Sequence, residues 1–362
     1  MDYCDVVVIG GGPAGLSAAI QAAESNMRVI LFDRGAQTGG QLLKQTHKFF
    51  GSREQFAGQR GFHIAENLSQ QADLNPNIEI KRDTVVLGIY EDGVITYKGK
   101  NCYGRLTAGK TILATGASEK MLLFENNDLP GVTGAGAIQT LMNQYGIRPG
   151  KNVLMVGAGN IGLIVSYQLI QAGINVKAVI DAAPRIGGYL VHASKVRRLG
   201  VPIYLQTTVI AAEGSDCVEA AVIAKVDENF QPIQGTEERL EVDTICIAAG
   251  LAPLKELLTL TGAEIKYIPE LGGYVPVRDQ FQETTVKGYY VAGDLAGIEE
   301  ATTAILEGSI AGLSAAIASG NNSPETVRRR EKFIADLAEL RSGPVTKKIR
   351  SGMAYVTKEV GL

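Results

Sequence analysis

The chain has 362 residues, 45% of them apolar, a formal net charge of −3 and four cysteines. Its length exceeds one average domain and its apolar content supplies ample core, so two domains are expected. The slightly acidic balance, with no long basic run, excludes nucleic acid as a main partner. Cys4, Cys102, Cys217 and Cys246 form no CxxC or metal-ligand cluster, so no metal site is expected.

The first predicted element is the apolar run Asp5-Val6-Val7-Val8-Ile9, which reads as a buried parallel strand. No signal peptide precedes it, and no apolar stretch along the chain is read as long enough to cross a bilayer. A reduced, cytoplasmic protein without a membrane span is therefore expected. The strand runs into Gly10-Gly11-Gly12-Pro13-Ala14-Gly15 and a helix of small residues. Glycines at 10, 12 and 15 have the spacing of a dinucleotide-binding turn. The first allows the tight turn, the second lets backbone approach a pyrophosphate, and the third lets helix pack on strand. The next strand, Arg28 to Phe32, ends on Asp33, eighteen residues past Gly15, where a carboxylate meets a ribose hydroxyl.

A polar, glycine-containing stretch from Gly35 to Gly61 follows, with Gly39-Gly40-Gln41 and Thr46-His47-Lys48-Phe49-Phe50-Gly51, and reads as a loop belonging to a site. Phe62 to Leu74 is predicted helical, Ile78 to Tyr97 alternates like strands with a turn at Asp92-Gly93, and Lys110 to Leu113 is a short strand closing on Ala114-Thr115-Gly116-Ala117. The pattern then restarts. Val153 to Val156 leads into Gly157-Ala158-Gly159-Asn160-Ile161-Gly162 and an apolar helix. Asn175 to Ile180 then ends on Asp181, nineteen residues past Gly162. Two such turns, each with strand, helix and terminal acid, make an internal repeat of one binding device. Asp181 suits a ribose 2′-hydroxyl and repels a 2′-phosphate, which favours NAD(H) over NADP(H). Arg185, Arg197 and Arg198 read as a solvated helix face rather than a phosphate clamp.

Thr244 to Gly250 is a third strand-to-glycine junction, and Gly288 to Asp294 runs into a helix of small residues, Glu300 to Ala318. Beyond it a charged amphipathic helix reaches Leu340, Gly343-Pro344 breaks it, and a basic segment spans Lys347 to Arg350. That charge run reads as a solvated face, and the tail as a plausible contact surface for an oligomer.

The order of these motifs, GGGPAG with Asp33, ATGA at 114–117, GAGNIG with Asp181 and YYVAGD at 289–294, resembles the two-dinucleotide flavoproteins of the pyridine nucleotide–disulfide oxidoreductase superfamily. The resemblance covers roughly residues 4–320 and is strongest to the two-domain, thioredoxin-reductase-like branch. It implies an α/β fold with two Rossmann-like dinucleotide-binding domains, the second inserted into the first, plus a helical C-terminal tail. The FAD-binding domain would be 1–118 with 252–320, the NAD(P)-binding domain 119–251, and the extension 321–362.

Around FAD the resemblance implies Gly10, Gly12, Pro13, Ala14 and Gly15 at the turn, with Asp33 and Arg34 after the second strand. Gly40 and Gln41 would lie beside the isoalloxazine. Asp294 would accept ribityl hydroxyls and Gly293 would lie near the second phosphate. The helix starting at Ala301 and Thr302 would aim its positive end at the flavin. Val85, Ala114, Thr115 and Gly116 are further cofactor-binding candidates. The nicotinamide nucleotide would take Gly157, Gly159, Asn160, Ile161 and Asp181, with Gly250 a further candidate. No catalytic side chain is assigned, because the flavin carries the redox chemistry.

Thioredoxin reductases carry a redox CxxC shortly before the second glycine turn; here that stretch reads Gly131-Val132-Thr133-Gly134-Ala135-Gly136-Ala137-Ile138, so disulfide exchange by that route is excluded. Relatives without the pair are the flavin subunits of amine and imino-acid dehydrogenases, similar to the sarcosine oxidase and dye-linked proline dehydrogenase α chains and one hydrogen cyanide synthase subunit. The expectation is a diaphorase-type, FAD-dependent NAD(P)H oxidoreductase that passes electrons to a partner dehydrogenase or electron-transfer subunit, iron–sulfur or a second flavoprotein. A free-standing ferredoxin–NAD(P) reductase is one alternative, in which Tyr355 would cover the flavin instead of serving as a packing residue. A nucleotide-binding structural subunit without turnover is the other.

Overall fold

The computed structural model describes residues 2–49, 54 and 56–358. Phe50 and Gly51 of the expected site loop lie outside them. The chain divides into two compact units, Met1–Ser118 with Leu251–Leu362, and Glu119–Gly250.

The first unit opens with β1 (Asp2–Ile9), α1 (Pro13–Glu24) and β2 (Val29–Phe32), then α2 (Gly61–Leu74) and strands β3 (Ile78–Lys81), β4 (Val85–Ile89), β5 (Val94–Lys98) and β6 (Tyr103–Leu113). The predicted strand at 110–113 is only the end of β6, which is 11 residues long. Its first half pairs antiparallel with β5, and its second half runs parallel to β1. One half serves a hairpin and the other a doubly wound sheet. The short β7 (Ala117–Glu119) follows.

The inserted unit contains β8 (Val132–Gly134), α3 (Ala135–Tyr145), β9 (Asn152–Val156), α4 (Asn160–Gln171), β10 (Asn175–Asp181) and α5 (Leu190–Arg198). It continues with β11 (Ile203–Leu205), β12 (Thr207–Glu213), β13 (Ala220–Lys225), β14 (Glu238–Glu241) and β15 (Thr244–Ile247). Five strands form a parallel sheet in the order β11-β10-β9-β15-β8, and β12-β13-β14 is a separate antiparallel meander. Helices cover the β9 and β10 side chains on one face, where Val153, Met155 and Val179 meet Leu163, Leu169 and Val196. On the other face Leu154, Val156 and Ile180 meet Val209, Ala221 and Ile223 of the meander. Both faces being covered accounts for the unbroken apolar runs of β9 and β15.

The chain returns to the first unit with β16 (Leu251–Pro253), α6 (Glu256–Thr259), β17 (Ile265–Ile268), β18 (Gly273–Pro276) and β19 (Tyr289–Val291). It ends in α7 (Ala301–Ala318), α8 (Pro324–Leu340) and α9 (Lys347–Met353). The parallel part of the first sheet is β3-β2-β1-β6-β19. Strand β1 lies at its centre, so the glycine turn opens at the carboxyl edge beside the point where strand order reverses.

Helix α7, at 18 residues, has the length and apolarity of a membrane-crossing helix, which corrects the expectation that no stretch does. Its apolarity has a different cause: α7 is mostly buried and lies hard against α1. A Cβ on Gly308 or Gly312 would be driven into the carbonyl oxygens of Ala14 or Ala18. The small residues exist to let the two backbones approach.

The charged tail is not simply a solvated face. Phe333, Ile334, Leu337 and Leu340 of α8 close over Leu306 and Ile310 of α7. Ser323 caps α8, its Oγ accepting from the Thr326 N–H at 3.2 Å, and Pro324 takes the first helical position. Tyr355, for which packing and flavin-covering roles are the expectations, is 65% exposed, and its neighbour Val356 makes the apolar contact instead. Cys4 and Cys246 are core residues; burial pushes the Cys4 thiol up to about 11 and Cys246 well above its usual value. Neither is poised as a nucleophile.

Candidate nucleotide sites

Each unit carries one glycine turn, and the two are built alike. The Gly10 N–H donates to Phe32 O at 2.8 Å, as the Gly157 N–H does to Ile180 O at 2.7 Å. Both residues sit at positive φ, +107° and +118°, with the carbonyls of Ala114 and Ala248 where a side chain would lie. Gly15 and Gly162 face the carbonyl oxygens of Gly10 and Gly157 just as closely. The protein's own packing thus demands four of the six glycines at the first, third and sixth positions of the two turns.

The other two have no such reason. Gly12 has φ −75° and ψ −174°, and Gly159 φ −75° and ψ 179°, conformations open to any residue. A Cβ on Gly12 would meet only the Gly40 Cα at 4.0 Å, and one on Gly159 nothing within 4 Å. Each is the N-cap of its helix and offers no side chain to the first-turn N–H groups. Open space at the positive end of a helix is what a pyrophosphate requires. The residues present fit a dinucleotide in both units.

The acids complete the match. Asp33 Oδ2 accepts the Gly11 N–H at 2.6 Å and Oδ1 the Gly35 N–H at 2.6 Å. Asp181 repeats this with Ala158 at 2.7 Å and Ala183 at 2.8 Å. Each carboxylate is therefore oriented by backbone donors beside its own glycine turn. A second loop then folds back over each turn. The Gly39 N–H donates to Gly11 O at 2.7 Å, and the Gly188 N–H to Ala158 O at 3.0 Å. A Cβ on Gly40 would be 2.9 Å from Gly12 Cα, and one on Gly188 2.8 Å from Gly159 C. Asn160 Oδ1 accepts the Tyr189 N–H at 2.8 Å and ties this loop to α4. The role of Gly188 escaped the sequence reading, although Gly40 and Gly188 both stand seven residues past their acid.

In the first unit a segment that follows the insertion returns to this turn. Gly293, at φ +71°, lies so close to α1 that a Cβ would sit 2.9 Å from the Ala14 Cβ and 3.5 Å from the Ala304 Cβ. Asp294 is thereby brought beside α1, while at the α7 start Thr302 is buried and Ala301 half-buried. Thr115 donates from Oγ1 to Leu254 O at 2.7 Å, and Gly116 O accepts the Leu254 N–H at 2.9 Å. Val85 opens β4 immediately after Thr84, whose N–H donates to Asp33 O at 2.9 Å. Arg34 and Gln41 are exposed. In the second unit Ile161 is 38% exposed at the α4 start, and Gly250 O accepts the Lys120 N–H at 2.9 Å. Arg185, Arg197 and Arg198 are all exposed.

Electrostatics concentrate around Asp294. Burial, and then the charges of Glu307 and Glu299, raise its carboxyl to about 6. Burial also raises Glu299, against the opposing pull of Arg341, and lowers Arg278.

One further carboxylate was invisible in the sequence. Glu119 reaches the N-terminus of α3, taking the Gly136 N–H at 2.5 Å and the Ala137 N–H at 3.3 Å. Its carboxylate lies where a Cβ on Gly134 would be. The 131–138 stretch that lacks a cysteine pair is thus closed by an internal anion.

Two Rossmann-type units, each with a glycine turn, an oriented acid and an open helix N-terminus, define a double dinucleotide-binding architecture. The chain belongs to the pyridine nucleotide-disulphide oxidoreductase family, whose model matches residues 4–308. It is a flavoprotein-type oxidoreductase fold, and family membership implies binding of FAD and a pyridine nucleotide.

It is similar to the sarcosine oxidase alpha chain of Corynebacterium sp. (strain P-1), 29% identical over 336 residues, 88% of this chain but 33% of that protein. It is also 29% identical to an opine oxidase subunit from Agrobacterium tumefaciens (strain Ach5), over 87% of this chain and 65% of the relative. The chain thus spans a third of the length of the first relative and under two thirds of the second. Among solved structures, the thioredoxin reductase of T. acidophilum superposes with a TM-score of 0.71 at 22% identity, covering 88% of this chain and 99% of that one. At that identity the likeness is one of fold.

Proposed function

We propose that this chain is the FAD- and NAD(H)-binding electron-transfer subunit of a cytoplasmic amine- or imino-acid-type dehydrogenase complex. The observation that carries the reading is the pair Gly12 and Gly159, glycines with no internal structural reason, each facing open space at a helix N-terminus beside an oriented aspartate.

FAD bound in the first unit would supply hydride and single-electron exchange. The residues of the chain bind and orient. The first turn of α1 holds a pyrophosphate, Asp33 takes ribose hydroxyls, and Asp294 takes a polar part of the cofactor at the start of α7. The positive end of α7 stabilises negative charge placed before it. In the second unit Asp181 accepts from the ribose 2′-hydroxyl and disfavours a 2′-phosphate. Closure of the α3 N-terminus by Glu119, where the thioredoxin-reductase pattern puts cysteines, supports an electron partner other than a disulfide. Similarity to subunits of sarcosine and opine oxidases supports a partner chain, to which this reading assigns an iron–sulfur centre or a second flavin.

An anaerobic titration of the purified chain with NADH and then NADPH, read at the flavin absorbance, tests the reading. Bleaching by NADH with little by NADPH is the expected result. Flavin that neither nucleotide reduces would refute hydride transfer through the second turn. Copurification of the tagged chain from its own host with a second redox subunit tests the complex; isolation as a lone NADH-oxidising chain would refute that part.

A further inference from the structure

The family match ends at residue 308, yet the Asp294 environment is completed from beyond it. Glu307, on α7, is nearly solvent-free. Its Oε2 accepts the Gly293 N–H at 2.9 Å, fixing the turn that presents Asp294. Its Oε1 accepts from two guanidinium groups, Arg278 Nη2 at 3.2 Å and Arg341 Nη2 at 2.7 Å. Arg341 follows α8 in the tail. It also grips Glu299, with Nη2 at 2.5 Å and Nε at 3.2 Å.

The tail is built to deliver this group. The apolar face of α8 lies on Leu306 and Ile310, one residue and three residues from Glu307 on α7. The Arg341 carbonyl accepts from Thr346 Oγ1 at 2.6 Å and from Arg350. Further on, Val356 O accepts the Arg278 N–H and Arg278 O the Lys358 N–H, both at 2.9 Å, so the tail also holds the second arginine by its backbone. Three carboxylates, Asp294, Glu299 and Glu307, thus share one enclosed region with two cations, and one cation comes from the extension. Removing one partner of such a cluster leaves an uncompensated charge that the surrounding backbone must move to relieve.

We propose that Arg341 is a positioning residue for the cofactor site: acting through Glu307, it holds the Gly293–Asp294 turn in its binding geometry, so the C-terminal extension is part of the FAD site without touching FAD. The assignment rests on the reading that Asp294 faces FAD. A bare structural clamp would lower thermal stability alone; a positioning residue also changes the turn and the affinity.

The test uses the full chain, freed of flavin, as parent, Arg341→Ala, Arg341→Lys and Arg329→Ala. Arg329 anchors the same helix to Gln21 and Glu24, away from the cluster. Two readouts are taken: FAD affinity by fluorescence quenching, and amide hydrogen exchange of the peptide spanning 289–298 before any FAD is added. Arg341→Ala is expected to weaken FAD binding tenfold or more and to speed exchange at Gly293. Arg341→Lys keeps the charge and the docked helix but cannot span both glutamates, so an intermediate loss of about threefold is expected. Arg329→Ala is expected to leave both readouts at the parent values. If Arg341→Ala and Arg341→Lys bind FAD within twofold of the parent and exchange at the same rate, the assignment is overturned. If the parent itself binds no FAD, the underlying functional reading fails instead, and that failure shows in the parent alone.

Discussion

Replacing Asp294 by Asn removes a carboxylate that burial, Glu307 and Glu299 together raise from 3.8 to about 6, opposed by a hydrogen bond from the Glu299 backbone. A group whose folded pKa lies above its unfolded value makes the native state bind more protons in between. Stability therefore falls as pH rises from about 4 through 6. Ionisation of Asp294 costs about 2 pKa units times 1.36 kcal/mol, or about 3 kcal/mol as an upper bound, because the side chain keeps some contact with solvent. Roughly half of that change falls between pH 5 and 8. Asn is neutral throughout, so the stability advantage of Asp294→Asn over the parent should grow by about 1.5 kcal/mol across that range. Urea unfolding of both flavin-free proteins at closely spaced pH values measures it. FAD affinity should move the opposite way, since hydroxyl donors favour the ionised carboxylate: the parent binds more tightly from pH 5 to 7 while the variant stays weak and flat. Parallel stability curves for the two proteins would refute the placement of Asp294 in a shielded, acid-rich site.

Three further outcomes follow from the packing. Gly12→Ala and Gly159→Ala should lower stability by no more than about 1 kcal/mol, as N-cap replacements in open space, while abolishing FAD binding and NADH binding respectively; calorimetric titration separates the two effects. Gly308→Val should force α7 away from the Ala14 carbonyl and cost about 3 kcal/mol or more in urea unfolding, and an unchanged midpoint would contradict the close helix contact. Glu119→Ala should uncap α3 and lower stability by about 1–2 kcal/mol, whereas Glu119→Gln should recover part of it, both read by thermal unfolding.

The sequence by itself determined both glycine turns. Strand, glycines, helix and terminal acid lie within about thirty residues, and the hydrogen bonds that close each turn join groups whose spacing the motif already states. It also determined the small-residue character of α7, though not its reason, which is the approach of Gly308 and Gly312 to carbonyls of α1 nearly three hundred residues earlier. Tertiary structure alone decided the rest. The antiparallel meander of β12–β14 went unread because its short strands cover a sheet face and have no local signature stronger than the turns around them. Glu119 caps a helix that begins sixteen residues later, and Glu307 and Arg341 meet across thirty-four residues. In a sequence, each of these is one charged residue among many, and a charge run reads most simply as solvated surface. Only folding shows which charges are taken out of water, and a charge taken out of water must find its partner wherever the chain brings one.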